Sequence, residues 1–249
     1  MAKRKTILIF LNLTIISITG YIFYWYYPSS PSSFLTEEEI KNEVNPYHLS
    51  AKIEKVQDII YLDKSHVFVP YITTEGEYAA SYWYYEKRKW HTHYVGTIST
   101  PLLVSTNPKD ASTYHFIWNL HPGDDLQSLE FLLLKRRNYS VSNGVETYIP
   151  GLQMRFSTKL TEQPYGYVKL PQEFVEVLND TIQLESAQME KMYYNGVFSS
   201  LSTEFAWSSL DESGTIVYPE LSIGGGGSGG GNSLIFVRFI GEDEELFGY

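Results

Sequence analysis

Residues 6–27 read TILIFLNLTIISITGYIFYWYY, with no charged residue among them. A soluble domain has few places to hide so long an apolar run. As a helix it extends about 33 Å at about 1.5 Å per residue, enough for a hydrocarbon core of about 30 Å. Lys3, Arg4 and Lys5 precede it, which keeps residues 1–5 cytoplasmic by the positive-inside rule. Its far end holds Tyr21, Tyr24, Trp25, Tyr26 and Tyr27, the side chains of an outer interfacial belt. A cleaved signal peptide is the competing reading. It needs small residues just past a short apolar core, and here tyrosines fill that zone, with small residues returning only at 29–33. The expectation is an uncleaved signal-anchor: a transmembrane helix at 6–27 of a single-pass cell-membrane protein. Asn12 and Thr19 fall on one helix face, where they suit pairing with another helix.

The chain beyond residue 27 is extracytoplasmic on this reading. Residues 28–36 form a Pro/Ser linker too short to reach far from the membrane, and 37–249 form the displayed domain. Of 19 basic residues, three lie ahead of the apolar run, leaving 16 against 29 acidic ones. Such a surface repels nucleic-acid phosphates and, as a whole, anionic lipid headgroups, so no nucleic-acid partner is expected. The chain has no cysteine, which excludes disulfides, thiolate metal sites and a Cys nucleophile. An extracytoplasmic domain without disulfides suits a bacterial protein better than a secreted eukaryotic one.

The domain reads as mostly β. Thr36-Glu37-Glu38-Glu39 opens a short helix with a capping box, and Pro46 requires it to stop by Asn45. Runs of β-branched and aromatic residues then predict strands at 67–72, 78–85, 90–98, 114–120, 126–135, 152–160, 165–170, 203–207, 215–218 and 234–240. Turn residues separate them at Glu75-Gly76, Asn107-Pro108, Pro122-Gly123, Asn143-Gly144 and Pro150-Gly151. Pro171 starts one or two helical turns at 172–178. The expected fold is an antiparallel β-sandwich or open barrel with a short helical lead-in. The run GGGGSGGG at 224–231 reads as a flexible loop between late strands, looking like an engineered linker or a natural loop. Its match to a nucleotide-binding or nucleophile-elbow pattern lacks the helix that must come after it.

Three stretches, YHFIWNLHPGD at 114–124, SYWYY with Lys89-Trp90 at 81–90, and YGYVKLP at 165–171, resemble uncharacterised membrane-anchored proteins of Bacillus-type bacteria. The likeness covers about residues 55–180. It implies a bacterial origin and an anchor, and no activity, ligand or catalytic residue.

One constellation carries chemistry. YWYYEKRKWHTHY at 82–94 predicts a hairpin turning at 86–89, with Tyr85 facing Trp90, Tyr84 facing His91, Trp83 facing Thr92 and Tyr82 facing His93. One face then holds Trp83, Tyr85, Trp90, Thr92 and Tyr94, and its apolar area makes it the core side. The other holds Tyr82, Tyr84, His91 and His93, an open face suited to gripping a protein or a cell-envelope component. The alternative is a metal-assisted hydrolase: His91-x-His93 puts two imidazoles on one side, His115 and His121 add two more, and Asp124 or Asp125 supplies a carboxylate. The leading expectation is the non-enzymatic binding domain, with no cofactor.

Overall fold

The computed structural model describes residues 2–26, 31–47, 51–96, 100–135, 137–142, 144–160, 162–195, 203–224, 226–229 and 233–241. The chain is mostly β, with antiparallel sheets and a few helices. Helix α1 spans Ala2–Tyr26 and α2 spans Glu37–Val44. The strands after them are β1 (Ile53–Val56), β2 (Ile60–Tyr61), β3 (His66–Thr73), β4 (Tyr78–Glu86), β5 (Lys89–Gly96), β6 (Leu102–Ser105), β7 (Tyr114–Asn119), β8 (Ser128–Lys135), β9 (Asn138–Ser142), β10 (Val145–Ile149), β11 (Leu152–Lys159) and β12 (Tyr165–Lys169). Helix α3 (Gln172–Asn195) precedes β13 (Thr203–Leu210), β14 (Ile216–Val217), β15 (Gly227–Gly229), β16 (Leu234–Phe236) and β17 (Arg238–Phe239).

A first sheet runs β1-β3-β4-β5-β15, with β2 also on β3. A second runs β12-β7-β6-β16, and a third runs β11-β8-β13-β14, with β17 joining β13 in parallel. Strands β9 and β10 form a separate two-stranded ribbon.

The packing explains why the central strands read as unbroken apolar runs. Val67, Val69, Tyr71 and Trp83 of the first sheet pack with Phe34 and with Ile40 and Val44 of α2. Phe68, Ala80, Tyr82 and Tyr94 pack instead with Leu102, Val104, Ile117 and Leu234 of the second sheet. On the second sheet, Leu103, Phe116 and Trp118 join Leu129, Phe131 and Leu133 of β8, Trp207 of β13 and Phe174 of α3. Strands apolar on both faces lose the period-2 alternation of a half-exposed sheet. Asn119 is a polar tie in this apolar stack: its Nδ2 lies 2.8 Å from Gln57 Oε1, 3.1 Å from Tyr71 O and 2.7 Å from Ala79 O.

The capping box forms as expected, the Glu39 carboxylate accepting from Thr36 N–H at 2.8 Å, and the helix ends at Asn45. Pro70 is tolerated inside β3 because its carbonyl faces Gln57, between β1 and β2, where no ladder donor is required.

Several expectations change. Helix α3 runs well beyond 178, because Phe174, Leu178 and Thr181 at i, i+4 and i+7 give it a buried stripe. Strands β1, β2, β6, β9 and β10 are additional, and the expected strand at 234–240 divides into β16 and β17 at Val237. The glycine run is not simply a loop: Gly227, Ser228 and Gly229 pair with Gly96, Val95 and Tyr94 as an edge strand. A Cβ at Gly229 would stand 2.7 Å from the His93 carbonyl oxygen, and one at Gly227 would stand 2.7 Å from the Tyr94 ring. Close approach to β5 therefore demands glycine at these positions.

Among the described residues, no helix is long and apolar enough to cross a membrane.

The Gly229→Val substitution is expected to destabilise the protein by about 1–3 kcal/mol, since the added group meets backbone. Gly226→Ala, with open space at its Cβ, is expected to be neutral. Equal urea midpoints for the two variants would mean that β15 does not pair with β5.

Candidate functional site

The candidate site grows from the β4–β5 hairpin. Trp83 opposes Thr92, Tyr84 opposes His91, Tyr85 opposes Trp90 and Glu86 opposes Lys89, the expected register. A bulge then intervenes, and Tyr82 opposes Tyr94 in place of His93. Two residues, His93 and Tyr94, thus stand against one. The bulge turns Tyr94 off the Trp83 side, where strict alternation would put it, and into the cluster with Tyr82 between the first and second sheets. The Trp83 side is core, as its area suggests: Trp83 is 1% exposed and sits edge-on to Phe34 at 5.5 Å.

The opposite side is less open than the sequence suggests. Tyr82 is buried, and its hydroxyl donates to Ser105 O of β6 at 3.1 Å. It serves as an inter-sheet tie, and burial raises its phenol pKa far above the ordinary value, with the Asp63 charge adding. Tyr84, His91 and His93 are half-buried. Tyr84 stacks on His91 at 5.4 Å, and its ring meets His93 edge-on at 5.6 Å. His91 Nε2 lies 3.2 Å from Glu86 O, so it closes the hairpin on itself.

The sequence reading missed His66 and Asp63. His66 on β3 opposes Tyr84, stacks on Tyr82 at 5.9 Å, and has Nδ1 2.9 Å from Asp63 Oδ1. Burial works to raise the Asp63 carboxyl, but bonds from Ser65 N–H and the His66 ring outweigh it and hold the carboxyl below the usual range. Spacing carries no trace of this grouping, because β3 and β5 meet only through β4.

The four histidines of the metal alternative do not converge. His115 is buried on β7, with Nδ1 3.0 Å from Thr113 O. His121 lies past the other end of that strand, on the order of 20 Å away at about 3.3 Å per residue. Its Nδ1 accepts from Gly123 N–H at 2.9 Å, and its ring packs edge-on to Tyr78. Asp124 is committed to the 219–222 turn, accepting from Ser222 Oγ at 2.6 Å and Leu221 N–H at 2.9 Å. Asp125 takes a left-handed backbone at φ 51° after the turn. Among the described residues, no three His, Asp or Glu side chains gather as a metal site. Ser222, His121 and Asp124 do not form a nucleophilic triad either. The serine hydroxyl donates directly to the carboxylate, and the imidazole nitrogen is taken by a backbone N–H.

Two exposed features lie outside the expected site. On the β9–β10 ribbon, Tyr139 and Tyr148 oppose each other and are 59% and 65% exposed. The Asn143-Gly144 turn is the sequence signal for this ribbon. At the hairpin tip, the Arg88 guanidinium carbon lies 3.9 Å above the Tyr24 ring, and Arg88 Nε donates to Tyr24 O at 3.2 Å.

No protein-family model matches the chain, and no curated protein or solved structure was found to match it.

His93 and His115 both resist protonation, chiefly because of burial, and each has an Nε2 without a hydrogen-bond partner. The unfolded chain binds these protons near pH 6.5, whereas the folded rings hold out to lower pH. Their neutral burial therefore adds no pH-dependent penalty above about pH 6.5 and an increasing one as pH falls below it. The melting temperature of the full chain is expected to fall between about pH 7.5 and 5.5. His115→Asn, whose amide replaces the Nδ1 donor, should show a shallower fall. An unchanged slope would contradict this role of His115.

Proposed function

We propose that the chain is a single-pass membrane protein that displays a non-enzymatic extracytoplasmic β domain, which binds a protein or cell-envelope component. The observation that carries the anchor is the surface of α1. Each of its large apolar side chains that is described, from Ile7 to Tyr24, is 50–68% exposed. These residues circle the whole helix and leave no polar face for water. Such a helix is stable when something apolar surrounds it, and the bilayer is the surrounding medium that also fits the basic residues before it.

The displayed domain takes the form of a layered sandwich. Support comes from apolar clusters on both sides of the β6–β7 sheet. For partner contact, Tyr84, His91 and His93 supply a half-open aromatic and imidazole face, and Tyr82 supports it from behind. Amphipathic rings of this kind give large contact area at low entropic cost. The β9–β10 ribbon, with Tyr139, Val141 and Tyr148 exposed, adds a second apolar contact surface.

Alkaline extraction of membranes from expressing cells tests the reading. The full chain is expected to stay with the bilayer pellet, and a protease added outside intact spheroplasts is expected to remove the domain. Release into the alkaline supernatant, or protection of the domain from external protease, would overturn it.

A further inference from the structure

The turn between β4 and β5 is built from residues that a turn of this kind seldom uses. Glu86 pairs with Lys89, leaving Lys87 and Arg88 as a two-residue loop. Both have left-handed backbones, at φ 48° and 64°. Two consecutive left-handed positions favour Asn-Gly, because a Cβ is disfavoured there. Strain kept in place of an easy alternative points to a use for the side chains.

Three basic residues, 87–89, stand together at this tip in a chain of net charge −10. All three are exposed. Lys87 is held only loosely by Glu86, at 3.6 Å. Of the four acidic groups of α2, which also packs near β5, Glu37 pairs with Lys41 at 2.9 Å and Glu39 closes the capping box, while Glu38 and Glu43 remain exposed.

Place decides what the tip meets. Arg88 reaches the end of α1 through the Tyr24 ring and carbonyl. Beside it, Trp90 Nε1 donates to Ser33 O at 3.3 Å, so the root of the hairpin is also tied to the segment after α1. With α1 in the bilayer and Tyr24 in its outer aromatic belt, Lys87 and Arg88 stand at headgroup depth. There, long cationic side chains meet phosphates.

We propose that the Lys87-Arg88 turn is a lipid-contact site, which docks the displayed domain onto anionic phospholipid headgroups of the outer leaflet. This rests on the anchor reading above. It makes the domain a lipid-seated body with one fixed face toward the membrane, and leaves the β9–β10 ribbon as a separate surface.

Because the chain has no cysteine, Glu86→Cys gives a single site for a nitroxide label next to the turn. Glu212→Cys labels an exposed turn elsewhere. Each full chain would be reconstituted into nanodiscs of phosphatidylcholine alone and into nanodiscs rich in phosphatidylglycerol. Accessibility to a water-soluble nickel chelate would then be read by electron paramagnetic resonance. The label at 86 is expected to be shielded from nickel in the anionic bilayer and less so in the neutral one. Lys87→Glu with Arg88→Glu should remove that difference while the chain stays in the disc. The label at 212 should be open to nickel throughout. A label at 86 as open as that at 212, in a chain retained by the disc, overturns the lipid contact and leaves the anchor intact. Equal shielding in both lipids overturns the assignment to anionic headgroups. A chain that does not enter the disc overturns the anchor reading itself.

Discussion

Phe34 is the residue on which the position of everything else depends. Its ring stands edge-on to Trp90 at 4.8 Å, Trp83 at 5.5 Å and Tyr61 at 6.3 Å. Edge-to-face pairs of this kind each stabilise by about 0.5–1.5 kcal/mol beyond their buried area. Only about eight residues separate Phe34 from the end of α1, a reach of at most ~28 Å. The clamp therefore fixes the outer face of the first sheet close to the helix end. The capping box at Thr36 then starts α2 immediately, which lays Ile40 and Val44 over the same sheet. A tether this short, closed by an aromatic clamp, gives a fixed mount where a long linker would give a loose one.

That mount gives the two sides of the β4–β5 hairpin different work. The Trp83 side receives the lead-in and is spent on packing. The Tyr82 side is spent on the second sheet for part of its length, through Tyr82 and Tyr94, and is half-open at Tyr84, His91 and His93. The bulge at His93 marks the change from one use to the other. It also sets His93 edge-on to the buried Tyr82 ring, on which His66 of β3 stacks.

The sequence is most legible where one physical rule acts locally. The capping box needs only four residues, and the Trp83, Tyr84 and Tyr85 register comes from the turn position and the period of two. It is less legible where a tertiary contact decides. No spacing rule foretells the bulge that moves Tyr94, or the inter-sheet bond that takes the Tyr82 hydroxyl. The glycines at 227 and 229 look like slack chain until Tyr94 and the His93 carbonyl are set beside them. Helix α3 outruns the one or two turns expected after Pro171, since its residues past 178 include strong helix formers such as Leu184, Ala187, Gln188 and Glu190. The histidines of the metal alternative illustrate the converse: shared parity along a strand places side chains on one face, but it does not bring His115 and His121 within reach of each other.

The central claim is that α1 lies in the bilayer and the β domain sits directly on its outer surface. Neutron reflectometry of the full chain in a supported bilayer tests it most directly. The predicted profile has protein density through the hydrocarbon layer, continuous with domain density that begins at the headgroups. Domain density separated from the headgroups by a layer of water, or an absence of protein density within the hydrocarbon, would contradict it.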